Sequence, residues 1–378
     1  MPSRTRLRDS ACAAALAALL ATGLASCGAD DGDRPAPSGS ASTPDVPSSS
    51  PPDGGPSGGT SASPHPVVAD TDLLDWRAVP GPVEDEVTVS GDWTLTVDEQ
   101  GRRAVLDGPT PQTVPAGPRG RIVESFIDGE YALVVSQDRL EERPSTATVV
   151  ELATGRRFVL DGRSPVPTTT GGTWALGGGH ALYATYDQGG YCLASVDLAT
   201  EQARATWCAP PRHGFSNART SPQGDTLLTF DASRPSCRTV GALDGERLTP
   251  FPGVTECKGW EGVLLPGGRV WSVVPRDTRI ESAHLYAALG DAWFDLGPGI
   301  SGSLVACGGA AYFAREPARV GEPAQVLRWT PAGRLSVVYA APAGGEGFVT
   351  VPPRCGGTQL TVTALTQAGD EQVTAPLG

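Results

Sequence analysis

The stretch "SPQGDTLLTF", residues 221–230, joins a Gly-containing turn to a short apolar strand, and six similar stretches make this pattern decisive for the fold. They are "SGDWTLTV" (90–97), "DGEYALVV" (128–135), "GGGHALYAT" (177–185), "PGGRVWSVV" (266–274), "CGGAAYFA" (307–314) and "CGGTQLTV" (355–362). Their glycines are Gly91, Gly129, Gly179, Gly224, Gly268, Gly309 and Gly357, spaced 38, 50, 45, 44, 41 and 48 residues apart. A period of about 44 residues is typical of four-stranded propeller blades. The sequence therefore predicts an all-β protein, a seven-bladed β-propeller.

Each unit continues into two further strands joined by a turn, as in "VVELATGRRFVL" (149–160) and "LRWTPAGRLSVVY" (327–339). The last repeat stops after about three strands, and "LLDWRAVPG" (73–81) is an additional strand near the other end. Pairing this segment into the last blade would close the ring and remove exposed sheet edges. We therefore expect the propeller domain over residues 71–378. Six or eight blades are alternatives, because the first unit is short and its fourth strand is indistinct.

The composition favours the same architecture, because 48 Gly and 35 Pro among 378 residues indicate many short strands broken by tight turns. The unit "SPQGDTLLTFD" (221–231) also resembles the WD40-like repeat of TolB-type periplasmic propellers, whose consensus is roughly S-P-D-G-x-x-L-x-F. This resemblance implies a propeller architecture and no particular activity.

The N-terminus has the pattern of an export signal. Arg4, Arg6 and Arg8 precede the apolar stretch "ACAAALAALLATGLAS" (11–26), which is too short to serve well as a membrane-spanning helix. The next residues, "LASC" (24–27), resemble the bacterial lipobox. The resemblance implies that residues 1–26 are a lipoprotein signal peptide and that Cys27 carries acyl chains such as palmitate. The alternatives are an ordinary secretory signal, which Leu24 argues against, and a buried thiol.

Residues 27–70 are rich in Gly, Pro and Ser, so we expect a disordered linker between the lipid and the propeller. Two or three acyl chains give stable anchoring, which places the domain on the outer, extracytoplasmic face of the cell membrane. One Lys stands against 28 Arg, a bias that resembles actinobacterial proteins. Removing residues 1–26 leaves a net charge of −15, which makes nucleic acid a poor partner. We expect a monomer.

Six cysteines remain after Cys12 and Cys27, and an oxidising exterior favours their pairing. Cys192 and Cys208 lie symmetrically about Thr200, so they would face each other across one hairpin. Cys237 and Cys257 flank the next hairpin, and Cys307 and Cys355 occupy equivalent turns of consecutive blades, which suggests a disulfide staple between them. Free buried thiols are the alternative. A zinc site would need short paired Cys or His spacings, which this sequence lacks, so we predict no metal and no other cofactor.

No motif in the sequence indicates catalysis. His65, His180, His213 and His284 have no metal-binding or nucleophile context, and their best interpretation is as ordinary surface or turn residues. The pattern Gly55-Pro56-Ser57-Gly58-Gly59 matches G-x-S-x-G, but it falls in the predicted linker, where the strained turn that this motif needs is not expected. We therefore assign no catalytic residue.

Acidic residues follow the second strand of successive repeats, and in a propeller these links project from one face. They are Asp98, Asp138, Asp187, Asp231, Asp277 and Glu316. Links between blades add Arg119, Arg121, Arg163, Arg212 and His213 on that face. Ordinary turn hydrogen bonding and pairing between these charges is one interpretation. The other is a ligand rim, for a cation, a basic partner, or a polar ligand such as a glycan, peptide or carboxylate.

The sequence thus favours a lipid-anchored extracytoplasmic binding or scaffolding module of the cell envelope, without catalysis, whose partner is an unknown envelope protein, peptide or glycan. One alternative is an envelope glycan-active hydrolase or lyase that uses carboxylates at the channel mouth. Another is a sensor or accessory subunit of an envelope complex. Propellers host all of these functions, so the fold does not choose among them.

Overall fold

The computed structural model describes residues 63–342, 348–349, 352–366 and 369–377, whose regular structure is entirely β-strand. The chain divides into residues 1–59 and 60–378, and every described residue belongs to the second unit. The predicted signal peptide, Cys27, the G-x-S-x-G pattern at 55–59 and most of the predicted linker lie outside the described residues. Within the described ranges, no helix is long and apolar enough to cross a membrane.

The described strands begin with three two-residue strands and continue into seven sheets. The first three are β1 (His65–Pro66), β2 (Asp70–Thr71) and β3 (Arg77–Ala78). Blade 1 contains β4 (Glu86–Ser90), β5 (Trp93–Val97), β6 (Arg103–Asp107) and β7 (Gln112–Pro115). Blade 2 contains β8 (Gly120–Ile127), β9 (Tyr131–Asp138), β10 (Thr146–Glu151) and β11 (Arg157–Leu160). Blade 3 contains β12 (Trp174–Gly177), β13 (His180–Asp187), β14 (Gly190–Asp197) and β15 (Ala203–Cys208).

The remaining blades follow in chain order. Blade 4 contains β16 (His213–Ser221), β17 (Gly224–Asp231), β18 (Arg238–Asp244) and β19 (Arg247–Pro250). Blade 5 contains β20 (Gly259–Leu265), β21 (Gly268–Val273), β22 (Ser282–Leu289) and β23 (Ala292–Ile300). Blade 6 contains β24 (Val305–Cys307), β25 (Ala310–Arg315), β26 (Gln325–Trp329) and β27 (Leu335–Ala340). Blade 7 contains β28 (Phe348–Val349), β29 (Arg354–Gly356), β30 (Gln359–Leu365) and β31 (Glu371–Pro376).

The structure confirms seven blades rather than six or eight. Strands are antiparallel and adjacent in chain order within each blade, and the first strands of neighbouring blades contact one another around the centre of the ring. The repeat is set by the turn after each first strand, where glycines such as Gly91 (φ 58°) and Gly309 (φ 78°) adopt the left-handed conformation. In blade 5 the left-handed glycine of this turn is Gly267 (φ 71°), and Gly268 pairs with Leu265 as Gly224 pairs with Ser221 in blade 4.

The hydrophobic core lies between blades rather than within any one of them. One cluster packs Leu285 and Leu296 of blade 5 against Phe313 and Trp329 of blade 6, all of them 1% exposed or less. Five similar clusters join the other consecutive pairs from blade 1 to blade 7. A single four-stranded sheet cannot bury both of its faces, so each blade depends on its neighbours for stability.

The N-terminal segment runs along the outer edges of three blades. β1 pairs in parallel with β23 of blade 5, and β2 pairs in parallel with β27 of blade 6. In blade 7, β28 and β29 both pair with the same side of β30, so β3, which pairs antiparallel with β31, supplies the fourth and outermost strand position. Strand pairing in the described residues thus begins at His65, before position 71. Backbone pairing with an outer strand does not require the apolar pattern from which the boundary was inferred.

The three predicted disulfide bonds are confirmed. Cys192 and Cys208 face each other across β14 and β15 and are bonded. Cys237, before β18, is bonded to Cys257, in the link that leads to blade 5. The Cys307–Cys355 bond joins blade 6 to blade 7, with Cα atoms 5.6 Å apart.

Candidate functional site: the central channel

A cavity of about 730 Å³ occupies the centre of the ring. Every blade contributes to its wall, and representative residues from blades 1 to 7 are Thr88, Glu124, Trp174, Arg219, Val263, Leu304 and Arg354. Turn residues after the first strands, such as Gly178, Pro222 and Gly308, also line it. The cavity therefore reaches the face that carries these turns. The predicted acidic rim lies on the opposite face, because it follows the second strands.

Irregular pairing in the first strands positions the charged groups of the channel. The register shifts between Ile122 and Glu124 in β8, between Ser216 and Arg219 in β16, and between Gly259 and Glu261 in β20. Such bulges add residues to one strand and change the direction of side chains. Three of the seven innermost strands thus place an ionisable residue directly after a bulge.

The bulge in β16 is stabilised by Asn217. This residue has a φ of 49°, a left-handed conformation that Asn adopts more readily than most residues. Its side-chain Nδ2 donates a hydrogen bond to the carbonyl oxygen of Trp260, at 3.0 Å, in blade 5. The irregular segment before Arg219 is therefore held by the neighbouring blade.

Arg354 is paired with Glu86 across the junction of blades 7 and 1. The distance from Nη2 of Arg354 to Oε1 of Glu86 is 2.5 Å. The Ser125 hydroxyl of blade 2 donates to the same carboxylate oxygen at 2.7 Å. This guanidinium therefore has its own counter-charge.

Arg219 lies beside the buried carboxylate of Glu261. Nη2 of Arg219 lies 3.9 Å from Oε2 of Glu261, a residue that is 1% exposed. Oε1 of Glu261 accepts hydrogen bonds from Gly302 N at 2.9 Å and from Ser272 Oγ at 3.2 Å. Oε2 has no hydrogen-bond partner among the described residues. Burial raises the pKa of Glu261 to about 7, against the lowering effect of Arg219 and the two hydrogen bonds.

Glu124 differs from the other two carboxylates. It lines the cavity and is exposed to the channel space, yet no hydrogen bond or ion pair to another described residue holds its carboxylate. Its pKa is raised because the surrounding channel wall removes water, although Arg219 and Arg354 act in the opposite direction. Glu86 adds a smaller repulsion. Glu124 is thus a solvent-accessible carboxylate in an enclosed space, without a direct partner.

The predicted rim residues are used mainly in local interactions. Arg119 is paired with Asp138 at 3.2 Å, and Asp98 lies 3.8 Å from Arg103. Asp277 is paired with Lys258 at 3.0 Å and with Arg238 at 2.5 Å, which lowers its pKa. Asp187, Glu316, Arg121, Arg163, Arg212 and His213 are exposed, and ring Nδ1 of His213 lies 3.0 Å from the Pro211 carbonyl oxygen.

Asp231 shows the turn chemistry that was one interpretation of the rim. Its carboxylate accepts hydrogen bonds from the Ser233 hydroxyl at 2.5 Å and from the backbone N–H of Cys237 at 2.8 Å, and these lower its pKa. A small cavity of about 300 Å³ lies beside Arg119 and Asp138. The rim charges are thus distributed over separate blades, whereas Glu124, Arg219 and Arg354 line one cavity.

The histidines of the blades make local pairs. His180 Nε2 lies 3.0 Å from Asp225 Oδ1 and joins blade 3 to blade 4, and this contact raises the pKa of His180. His284 Nε2 lies 2.6 Å from Asp295 Oδ1 within blade 5. Among the described residues, no group of three or more His, Cys, Asp or Glu side chains could hold a metal ion.

The sequence analysis missed the channel residues, although a signal for them was present. Glu86, Glu124 and Arg219 each lie five residues before the glycine of their blade's turn, on the strand nearest the ring centre. The equivalent residues of blades 3 and 6 are Trp174 and Leu304. Charge at a repeat position that is otherwise apolar indicates a polar channel wall.

No protein-family model matches the sequence, and no curated protein matches it. Solved structures do resemble it. A structure from a study of two prolyl endopeptidases has a TM-score of 0.51 and 13% identity, with 81% of this chain and 47% of that chain covered. Prolyl oligopeptidase B from Galerina marginata has a TM-score of 0.51 and 12% identity over 80% of this chain and 49% of that chain. The chain thus spans about half the length of these two peptidases.

A third similar structure is a propeller domain alone, that of the trilobed protease from Pyrococcus furiosus. Its TM-score is 0.51 at 10% identity, with 77% of this chain and 95% of that chain covered. Identities this low establish a common fold and nothing further. The protein is a seven-bladed β-propeller whose fold resembles the propeller domain of the trilobed protease.

Proposed function

We propose that this protein is a lipid-anchored binding module on the outer face of the cell membrane, which takes a small polar ligand into its central channel without catalysis. The observation that carries the channel site is Glu124, a carboxylate that lines a cavity of about 730 Å³ and lacks a direct partner among the described residues. Ligand sites are commonly concave, mostly apolar spaces of about 300–1,000 Å³ with a few converging polar groups.

The cost of keeping charge in the channel supports this proposal. A carboxylate removed from water and left without a partner destabilises the folded protein. A structural role for Glu124 would be expected to supply such a partner, as Glu86 has in Arg354. Perturbed pKa values together with a cavity are typical of functional sites. The channel is therefore the best-supported ligand site.

The membrane anchor is the second part of the proposal. It is supported by the N-terminal arginines, the short apolar stretch and the "LASC" sequence that ends at Cys27. Metabolic labelling with a fatty-acid analogue tests it, since the Cys27→Ala variant should lose the label and leave the membrane fraction. Labelling that is unchanged in this variant would contradict the anchor and leave the channel proposal standing.

Blocking the channel tests the binding function. Ser216 lines the cavity, so Ser216→Trp should fill part of it with an indole ring. His213→Trp is the matched control, because it adds the same ring to the exposed start of the same strand. The purified full chain would be screened by thermal denaturation against amines, carboxylates, neutral sugars and short peptides. A ligand should raise the melting temperature of the wild-type protein and the control, but not of Ser216→Trp. A shift that survives in Ser216→Trp would place binding elsewhere.

An envelope glycan hydrolase or lyase is the second candidate. It is favoured by Glu124 and Glu261, two carboxylates of raised pKa near Arg219, since general acids need raised pKa values. Binding without catalysis is preferred because Glu261 is buried behind Arg219 and does not line the cavity. Release of products from acidic and neutral glycans, abolished in both Glu124→Gln and Glu261→Gln, would favour the enzyme instead.

A further inference from the structure

We propose that the channel binds an organic cation, an aliphatic ammonium group on a hydrocarbon chain, and that Glu124 receives the charged end. This inference rests on the proposed channel-binding function and specifies its ligand class. It is drawn from the lack of a paired cation at Glu124, from the position of Glu124 on the cavity wall and from the apolar side chains that face it.

Glu124 is a carboxylate of the cavity wall without a paired cation. The two arginines of the wall, Arg354 and Arg219, each lie beside another carboxylate, at 2.5 and 3.9 Å respectively. The carboxylate of Asp128, which also lines the cavity, accepts hydrogen bonds from two backbone N–H groups of its own turn. No Lys, Arg or His of the described residues is paired with Glu124. A ligand group that forms an ion pair with ionised Glu124 must therefore carry a positive charge.

The carboxylate of Glu124 is accessible for such a ligand. The bulge in β8 places it on the channel wall, where it is exposed to the cavity. An ionised carboxylate only accepts hydrogen bonds, so it is complementary to the three donors of an ammonium group. The surrounding wall excludes much of the water, and charge–charge attraction is stronger in such an environment than in bulk solvent.

The wall on the other side of the ring carries apolar side chains. Val305 and Ala306 of blade 6 line the cavity and are half-buried, and blade 6 lies across the seven-membered ring from blade 2, which carries Glu124. A ligand whose ammonium group contacts Glu124 therefore has apolar surface available for its carbon chain. Burial of that chain adds favourable free energy that a bare inorganic cation would lack.

Three six-carbon probes that differ only in one end group test the proposal. Aminohexanol carries an ammonium group, hexanediol a second hydroxyl group, and hydroxyhexanoate a carboxylate. Binding to the purified full chain would be measured by calorimetry and ligand-observed NMR. A dissociation constant of about 1 mM is expected for so small a ligand, so probe concentrations would extend to several times that value. We expect aminohexanol to bind at least about tenfold more tightly than hexanediol, because a charge-assisted hydrogen bond replaces a neutral one. Hydroxyhexanoate should be the weakest.

Two variants identify the residue responsible. Glu124→Gln should remove the preference for aminohexanol over hexanediol. Asp187→Asn removes one carboxylate from an exposed position on the opposite face and should leave the preference intact. Unchanged melting temperatures of both variants would show that they fold.

The results that would overturn the inference are distinct from failure of channel binding. Tighter binding of hexanediol or hydroxyhexanoate, or a cation preference that persists in Glu124→Gln, would mean that the channel takes a different ligand class. Absence of binding by all three probes also rejects the aliphatic ammonium. The broader screen with Ser216→Trp then decides whether the channel binds any ligand.

Discussion

Glu261 is a buried carboxylate of which only one oxygen has a hydrogen-bond partner among the described residues. Its carboxylate is 1% exposed, accepts hydrogen bonds only at Oε1 and has a pKa of about 7. The folded protein therefore holds the Glu261 proton more tightly than the unfolded chain, in which the pKa is near 4.5. By linkage, the contribution of this group to stability is fully present below about pH 4.5 and is lost as the pH rises to about 7.

Glu261→Gln should remove this pH dependence, because glutamine does not titrate. Relative to the wild-type protein, the variant should gain about 3 kcal/mol of unfolding free energy between about pH 4 and about pH 8. Urea denaturation of both proteins across this pH range measures the change. Glu316→Gln, at an exposed position, serves as the control and should follow the wild-type curve. Parallel curves for Glu261→Gln and the wild-type protein would show that folding does not raise the pKa of Glu261.

At the level of strands and turns, the blades could be predicted because each has a glycine within or directly after the turn between its first and second strands. Glycines such as Gly129 (φ 100°) and Gly357 (φ 66°) have positive φ angles that other residues rarely adopt, so these turns can be recognised in the sequence by their glycine. The disulfides followed from the same repeat, because it placed Cys307 and Cys355 at equivalent turns.

The channel cluster could not be predicted in the same way. Bulges in β8, β16 and β20 change which side chains face the channel, and a bulge has no strict sequence pattern. Glu261 lies six residues before Gly267, whereas Glu124 and Arg219 lie five residues before their glycines. Its pairing with Arg219 becomes visible only when blades 4 and 5 are placed side by side.

The Cys307–Cys355 disulfide should stabilise the junction of blades 6 and 7. Replacing both cysteines by serine removes a cross-link that spans 48 residues, for which chain entropy gives a loss of up to about 4 kcal/mol of unfolding free energy. The Cys192–Cys208 bond spans 16 residues, so its double serine variant should lose less, up to about 3 kcal/mol. Urea denaturation under non-reducing conditions compares the two. A Cys307→Ser, Cys355→Ser variant as stable as the wild-type protein would contradict this role.

For the whole molecule, the N-terminal segment matters because it pairs with blades 5, 6 and 7, the three blades farthest from it in the sequence. Backbone N–H groups of Val67, Leu74 and Val79 donate to carbonyl oxygens of Asp295, Val338 and Gln372, in blades 5, 6 and 7 respectively. Trp76 adds a hydrogen bond from its indole Nε1 to the Val338 carbonyl oxygen, at 2.7 Å, and an edge contact with Tyr339. This residue fixes the segment at the junction of blades 6 and 7.

Trp76→Ala should therefore weaken the ring beyond the site of the change. We expect a loss of about 2–3 kcal/mol of unfolding free energy, less than for a fully buried Trp because this one is partly exposed. Amide hydrogen exchange should become faster in β27 and β31, the strands that the segment pairs with. Arg77→Ala, at the neighbouring exposed position, should change the stability by less than about 0.5 kcal/mol. Protection of β31 that is unaltered in Trp76→Ala would show that the segment does not support blade 7.

The path of this segment also determines how the propeller responds to mechanical force. β1, β2 and β3 follow one another along the chain on blades 5, 6 and 7, so tension applied from the N-terminal side loads β1 first. β1 and β2 are additions to sheets that already have four strands, and their detachment leaves blades 5 and 6 intact. Only tension that reaches β3 removes a fourth strand, that of blade 7. In a protein held by the proposed lipid at Cys27, tension would therefore detach β1 and β2 before it disrupts a blade, so the ring would stay closed under moderate force.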